Sequence, residues 1–132
     1  MTRVVCAGTF DHLHPGHIDF LNQAKSLGDE LIVIVARDET VERIKGMRPE
    51  HDEGCRRMNV EATGIPDRVV LGRLNNDLFG ILGELSPDVV ALGYDQRVSE
   101  DEIKARLPSC RVARLKSYHP EKYKSSYFRS VP

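Results

Sequence analysis

The sequence predicts an α/β fold: a single doubly wound parallel sheet with helices on both faces. Short apolar runs alternate with amphipathic stretches along the whole chain, and the connections between them are brief. The run Leu31-Ile32-Val33-Ile34-Val35-Ala36 is apolar at every position, as a strand covered on both faces must be. At 132 residues the chain has the length of one domain, large enough to bury a core without disulfides. Neither a repeat nor a linker-like stretch interrupts it, so residues 1–132 are expected to form one unit.

Taken in order, residues 4–8 (Val-Val-Cys-Ala-Gly) read as a first buried strand that ends in a turn rich in Gly, Thr and Asp. A helix is expected over residues 15–27: Pro15 suits a first helical turn, Gly28 stands just past the end, and Ile18, Leu21, Ala24 and Leu27 line one face. After the strand at 31–36 come a short helix at 38–45, a polar loop at 46–52 and a helix at 53–62. A third strand at 68–71, a helix at 76–85 and a fourth strand at 88–92 follow, and Gly93-Tyr94-Asp95 leaves its carboxyl end. Ser99 before Glu100-Asp101-Glu102 has the form of an N-cap followed by acids that the helix dipole favours. A fifth strand is expected at 110–115. Ligands of such sheets bind beyond the carboxyl ends of the strands, where the strand order reverses. Segments 9–17, 37–38 and 93–97 are therefore expected to meet in one cleft. Residues 118–132 carry Lys122, Lys124 and Arg129 against Glu121 alone, a cationic segment suited to close over that cleft as a lid.

The balance of 40% apolar and 30% charged residues is ordinary for a globular protein, and the net charge of -1 lacks the broad basic face of a nucleic-acid or membrane-surface binder. Neither a nucleic acid nor a membrane is expected as partner. Three widely spaced cysteines suit a reducing compartment; Cys6 and Cys110 lie in apolar runs, where they read as small buried hydrophobes. Met1-Thr2-Arg3 leads directly into Val4, with too short an apolar run for a signal peptide, and residues 31–36 fall far short of the roughly 20 of a membrane helix. A cytoplasmic location is expected.

The chemistry gathers in Gly8-Thr9-Phe10-Asp11-His12-Leu13-His14-Pro15-Gly16-His17. Gly8 permits a sharp turn after the strand, so the Thr9 and Phe10 amides can face an anion. The opening N–H groups of the helix face the same place. His14 and His17, three apart across the helix start, can both donate to one phosphoryl oxygen. Other readings compete: His12 suits a cap or surface position, and His14 and His17 with Asp11 could ligate zinc, although no cysteine or third histidine is expected nearby. A serine or cysteine nucleophile is weaker, for there is no GxSxG and Cys6 precedes the turn.

This segment resembles the HxGH signature, with its GTFD lead-in, of the cytidylyltransferase-like nucleotidyltransferases, whose fold is Rossmann-like. Tyr123-Lys124-Ser125-Ser126-Tyr127-Phe128-Arg129 is similar to that family's ISSTxxR-type second signature. The resemblance implies in-line transfer of a nucleoside monophosphate, without a covalent enzyme intermediate. A divalent cation, Mg²⁺ by default, would bridge the phosphates. It further implies that His14, His17 and Lys45 act on the reacting phosphates. Thr9, Phe10, Arg56, Gly93, Asp95, Ser125, Ser126 and Arg129 would hold the nucleotide, and Asp11, Arg37 and Asp38 the acceptor. No residue is assigned to a resident metal. Glu53-Gly54-Cys55-Arg56 departs from the family's EEQR-like segment, with Gly-Cys where Glu-Gln is usual. The chain ends three residues after Arg129, so the lid is expected to order only on bound nucleotide.

Residues 28–38, 42–46 and 91–96 look most like archaeal-type FAD synthetases. That likeness implies ATP and FMN as substrates, with AMP transferred to FMN. Glycerol 3-phosphate with CTP, or another phosphorylated acceptor such as a pantetheine or sugar phosphate, is the alternative. A silent nucleotide-binding sensor is the reading of a different class. Relatives that pair suggest a homodimer.

Overall fold

The computed structural model describes residues 1–74, 77–94, 96 and 98–116. Strands β1 (Arg3–Gly8), β2 (Glu30–Val35), β3 (Arg68–Leu71), β4 (Val89–Leu92) and β5 (Arg111–Arg114) alternate with helices α1 (Pro15–Lys25), α2 (Asp38–Lys45), α3 (Glu53–Ala62), α4 (Leu78–Leu85) and α5 (Glu100–Arg106). The strands form one parallel sheet in the order β3-β2-β1-β4-β5. The chain runs outward from β1 through β2 to β3, then returns to β4 on the other side of β1. The order therefore reverses between β1 and β4, whose carboxyl ends carry Gly8 and Leu92.

Alternate residues of each strand feed opposite faces of the sheet, because successive side chains on a strand point opposite ways. Val4, Cys6, Leu31, Val33, Val35, Val89 and Ala91 join Leu21 and Ala24 of α1 and Val60 of α3 in one cluster. Val5, Ile32, Ile34, Val90 and Leu92 join Ile81, Leu82 and Leu85 of α4 and Ile103 of α5 in the other. That is the two-sided packing expected from the all-apolar run in β2. Cys6 is among the interior residues, and burial pushes its thiol up to about 12, so it is inert as a nucleophile at neutral pH. Cys110 is buried as well.

The helix starts are specified by side chains. Asp52 accepts from the Cys55 amide, Asp77 from Gly80 and Ser99 from Glu102. Helix α4 begins at Leu78 with Asp77 as its cap, two residues later than the apolar pattern suggests. Helix α1 stops at Lys25 with Ser26 as C-cap, short of the expected Leu27, which still packs against the first cluster. Gly46 closes α2 in the left-handed conformation, with φ of 84°. No helix among the described residues is long and apolar enough to cross a membrane.

The register of α1 can be tested directly. Leu21 is fully buried, whereas Ile18 is only partly so. Leu21→Ala should cost about 2–5 kcal/mol and Ile18→Ala about 1 kcal/mol or less, read from urea midpoints at constant slope.

Candidate active site

The phosphate loop is shaped by an aromatic ring that folds back on a glycine. Phe10 adopts φ of 55° and buries its ring to 4% exposure. A Cβ at Gly8 would sit 2.9 Å from that ring, so only glycine lets it close over the strand end. The same ring lies 5.7 Å from the His17 imidazole and 6.1 Å from Phe20, which links the turn to α1. Phe10 therefore contributes its backbone to the cleft and its side chain to the core.

His14 and His17 form a reciprocal capping box at the start of α1. His14 Nδ1 accepts from the Gly16 amide at 3.1 Å, and His17 Nδ1 accepts from the His14 amide at 3.4 Å. An Nδ1 that accepts from an amide carries no proton, so in each neutral ring the proton sits on Nε2. The rings stack with centroids 4.0 Å apart. Two Nε2–H donors are thus set side by side at the positive end of a helix dipole.

Electrostatics keeps both rings neutral. Burial lowers the pKa of His14. Burial also drives His17 down to about 4, helped by the neighbouring His14 and Lys45 charges and opposed by Asp11. Lys45, at the end of α2, reaches across to donate to Thr9 Oγ1 at 3.2 Å, which sets its ammonium beside the loop.

Arg56 lies fully buried behind the loop. Its Nε donates to the His51 carbonyl at 2.9 Å, one terminal nitrogen donates to the Thr9 carbonyl at 2.7 Å, and the other meets Asp38 Oδ1 at 2.8 Å. Arg56 is thus brought to the site as expected, but it grips protein groups: it positions the loop. Asp38 is the partner of that guanidinium. Arg37 donates to the Gly72 carbonyl at 2.7 Å and to Glu53 at 2.9 Å, bracing the end of β3 against the start of α3. Arg37 also lines an open groove with Leu71, Gly72, Arg73, Leu74 and Ile81. The Arg73 Nε is buried there without a hydrogen-bond partner among the described residues.

Asp11 holds the 46–52 loop. It accepts from the Glu50 amide at 2.8 Å and the His51 amide at 3.1 Å, and its Oδ1 lies 3.0 Å from His51 Nδ1. Burial pulls its carboxyl up, but these amides, the His51 ring and His12 outweigh that and leave it below the ordinary carboxylate range. The expectation that no third histidine stands near Asp11 is overturned, because the loop brings His51 beside Asp11 and His12. His12 is exposed and pairs with Glu50 at 3.0 Å, in keeping with its surface reading.

On the β4 side, Gly93 starts a turn pinned by Gln96, which accepts from the Gly93 amide at 2.7 Å and donates to the Ala7 carbonyl at 3.0 Å. Arg114 adds bonds to the carbonyls of Gly93 and Gln96 at 2.8 and 2.7 Å. Sequence reading missed Gln96 and Arg114 as well as His51. Gln96 directly follows the singled-out Gly93-Tyr94-Asp95, whereas Arg114 carries no local signal in its strand. Asp95, Ser125, Ser126, Arg129 and the rest of the 118–132 segment lie outside the described residues.

The chain belongs to the cytidylyltransferase-like family, which it matches over residues 5–131. Within that family it is similar to archaeal proteins named FAD synthase. It is 47% identical to the one from Aciduliprofundum boonei over 122 residues, 89% of this chain and 80% of the relative. Identity to the Thermococcus sibiricus protein is 46% over 127 residues (93% and 83% of the two chains), and to the Methanosarcina barkeri protein 49% over 107 residues (81% and 75%). Among solved structures, a lipopolysaccharide core biosynthesis protein from Thermoplasma volcanium superposes with a TM-score of 0.83 at 38% identity, covering 89% of this chain and 98% of that one. The family assignment makes the chain a nucleotidyltransferase with a Rossmann-like sheet.

Two outcomes follow. Replacing Arg56 with Ala strands the Asp38 carboxylate and two carbonyls, and should cost about 3–5 kcal/mol in urea unfolding. Because the folded pKa of His17 lies near 4, below the ordinary value of about 6.5, the folded state binds fewer protons there. Its contribution to stability is present above pH ~6.5 and is lost as pH falls towards 4. A histidine NMR titration should place the His17 midpoint near 4 and move it upward when a non-hydrolysable ATP analogue binds, since phosphate charge favours imidazolium. An unmoved midpoint would place the triphosphate elsewhere.

Proposed function

We propose that this chain is an FMN adenylyltransferase: it transfers AMP from ATP to FMN, giving FAD and pyrophosphate. The observation that carries the reading is the locked imidazole pair, two Nε2–H donors fixed at a helix N-terminus, in a chain 46–49% identical to FAD synthases over most of its length.

The FMN phosphate is mostly a dianion at neutral pH and needs no base to become a nucleophile. One of its oxygens attacks the α-phosphorus in line. A new phosphoanhydride bond forms, the α–β bond breaks, and the electron pair leaves with pyrophosphate. Charge develops on the phosphoryl oxygens, where the neutral His14 and His17 donors and the Lys45 ammonium provide fixed stabilisation without reorganisation. Thr9, Phe10 and Gly93 line the nucleotide path through their backbones, and we assign Asp95, Ser125, Ser126 and Arg129 to the nucleotide by family likeness. Arg56 acts by holding the Thr9 carbonyl and Asp38 in place.

For the acceptor, the groove at the carboxyl end of β3 combines the apolar Leu71, Leu74 and Ile81 with Arg37 and Arg73, which pair with Glu53 and with the lining Glu84. That mixture suits an apolar ring carrying a phosphate. We assign Asp11 and Asp38 to the acceptor by family likeness, and the Tyr94 ring is exposed. Mg²⁺ would travel on the triphosphate, screening its charge. Three free thiols support a reducing, cytoplasmic setting, and the near-zero net charge supports small-molecule partners over nucleic acid. A homodimer, by analogy with relatives, completes the proposal and is checked by sedimentation.

The test pairs substrates. FMN with ATP should yield FAD and one pyrophosphate per FAD, whereas glycerol 3-phosphate with CTP should yield no product. The converse result would make the chain a glycerol-3-phosphate cytidylyltransferase. Nucleotide binding with no turnover on any acceptor would make it a sensor. His17→Ala should lower the rate by about 10²–10³-fold while the circular dichroism stays unchanged.

A further inference from the structure

We propose that Asp11, His12 and His51 form a binding site for a divalent transition-metal ion, with Zn²⁺ the best fit, at the junction of the phosphate loop and the 46–52 loop. One ligand atom from each of the three side chains lies within 4.8 Å of the other two. The carboxylate is already oriented, because the Glu50 and His51 amides fix it at 2.8 and 3.1 Å. His51 Nδ1 stands 3.0 Å from Asp11 Oδ1, and the His12 ring lies edge-on to the His51 ring at 4.7 Å. Donors around a tetrahedral zinc lie roughly 3.3 Å apart, given bonds of about 2.0 Å. The imidazoles need only small rotations to close on the fixed carboxylate, and both are exposed enough to make them.

Two further features point the same way. His12 is held at φ of 54°, in the left-handed region that a bulky side chain seldom occupies, and its side chain is 55% exposed. Core packing therefore does not explain its placement; the effect is to turn its ring towards His51. Glu50 also lies 3.0 Å from His12 Nε2, as an outer carboxylate does when it orients a ligating imidazole. Two nitrogen donors and one oxygen suit Zn²⁺, Co²⁺ or Ni²⁺, and do not suit Mg²⁺, which takes oxygen. Three protein ligands leave one position for water.

The test needs neither ATP nor FMN, so its failure leaves the nucleotidyltransfer reading standing. The full chain, stripped with a chelator, is titrated with Zn²⁺ by calorimetry and with Co²⁺ by visible absorption. One ion per chain is expected, retained in millimolar Mg²⁺. His12→Ala and His51→Ala should each weaken binding by at least the 10- to 100-fold that loss of an outer partner costs elsewhere. His51→Asn should match His51→Ala, and thermal melts of the metal-free variants verify the fold. His14→Ala and Cys55→Ser should leave the affinity unchanged, since His14 belongs to the other imidazole pair and Cys55 is a separate free thiol. No binding, displacement by Mg²⁺, or a loss that follows His14 or Cys55 instead would overturn the site.

Discussion

A guanidinium buried at the back of the cleft organises everything in front of it. A charge removed from water must be matched by partners fixed in place, and Arg56 meets this requirement with the Thr9 carbonyl, the His51 carbonyl and the Asp38 carboxylate. These groups belong to three different segments, so satisfying one side chain ties the phosphate loop, the 46–52 loop and the start of α2 to each other. Arg56 is itself fixed because Val60, one helical turn further along α3, is buried in the core cluster under the sheet. Rigidity thus passes from the sheet through α3 to the backbone at Thr9. Glu53, one turn earlier, reinforces this by accepting from the Asp38 amide and from Arg37.

The imidazole pair meets a different demand. A half-buried imidazole pair must be neutral enough to be stable away from water, and its ring planes must be held. Using Nδ1 of both rings to cap α1 serves both needs, because the cap fixes the ring planes and the tautomer together. Serine and glutamate caps would satisfy the same amides but would offer no N–H donor outward. The loop after β1 therefore caps its helix with imidazoles, while Phe10, folded over Gly8, packs against His17. Lys45 adds an ammonium group beside the two rings, where it donates to Thr9 Oγ1.

Much of this architecture is legible in the chain alone. The strands, the helices and the turn from Gly8 into the helix at Pro15 follow from local patterns: all-apolar runs, three- and four-residue spacing, caps one to three residues from the groups they satisfy. Those interactions span only a few residues, so the sequence states them directly. The family is legible too, through the likeness of Gly8 to His17 to its signature, and strand–helix alternation with right-handed crossovers leaves few strand orders. What the tertiary structure alone decided is which distant side chains meet. Arg56 turns inward to Thr9, 47 residues away; Gln96 pins Ala7, 89 residues away; and His51 arrives beside Asp11, 40 residues away. Those pairings are set by the order of strands in the sheet and by the burial of α3, which no local pattern encodes. For the same reason the bonds that Arg37, Asp38 and Arg56 make within the protein are not visible in any local pattern.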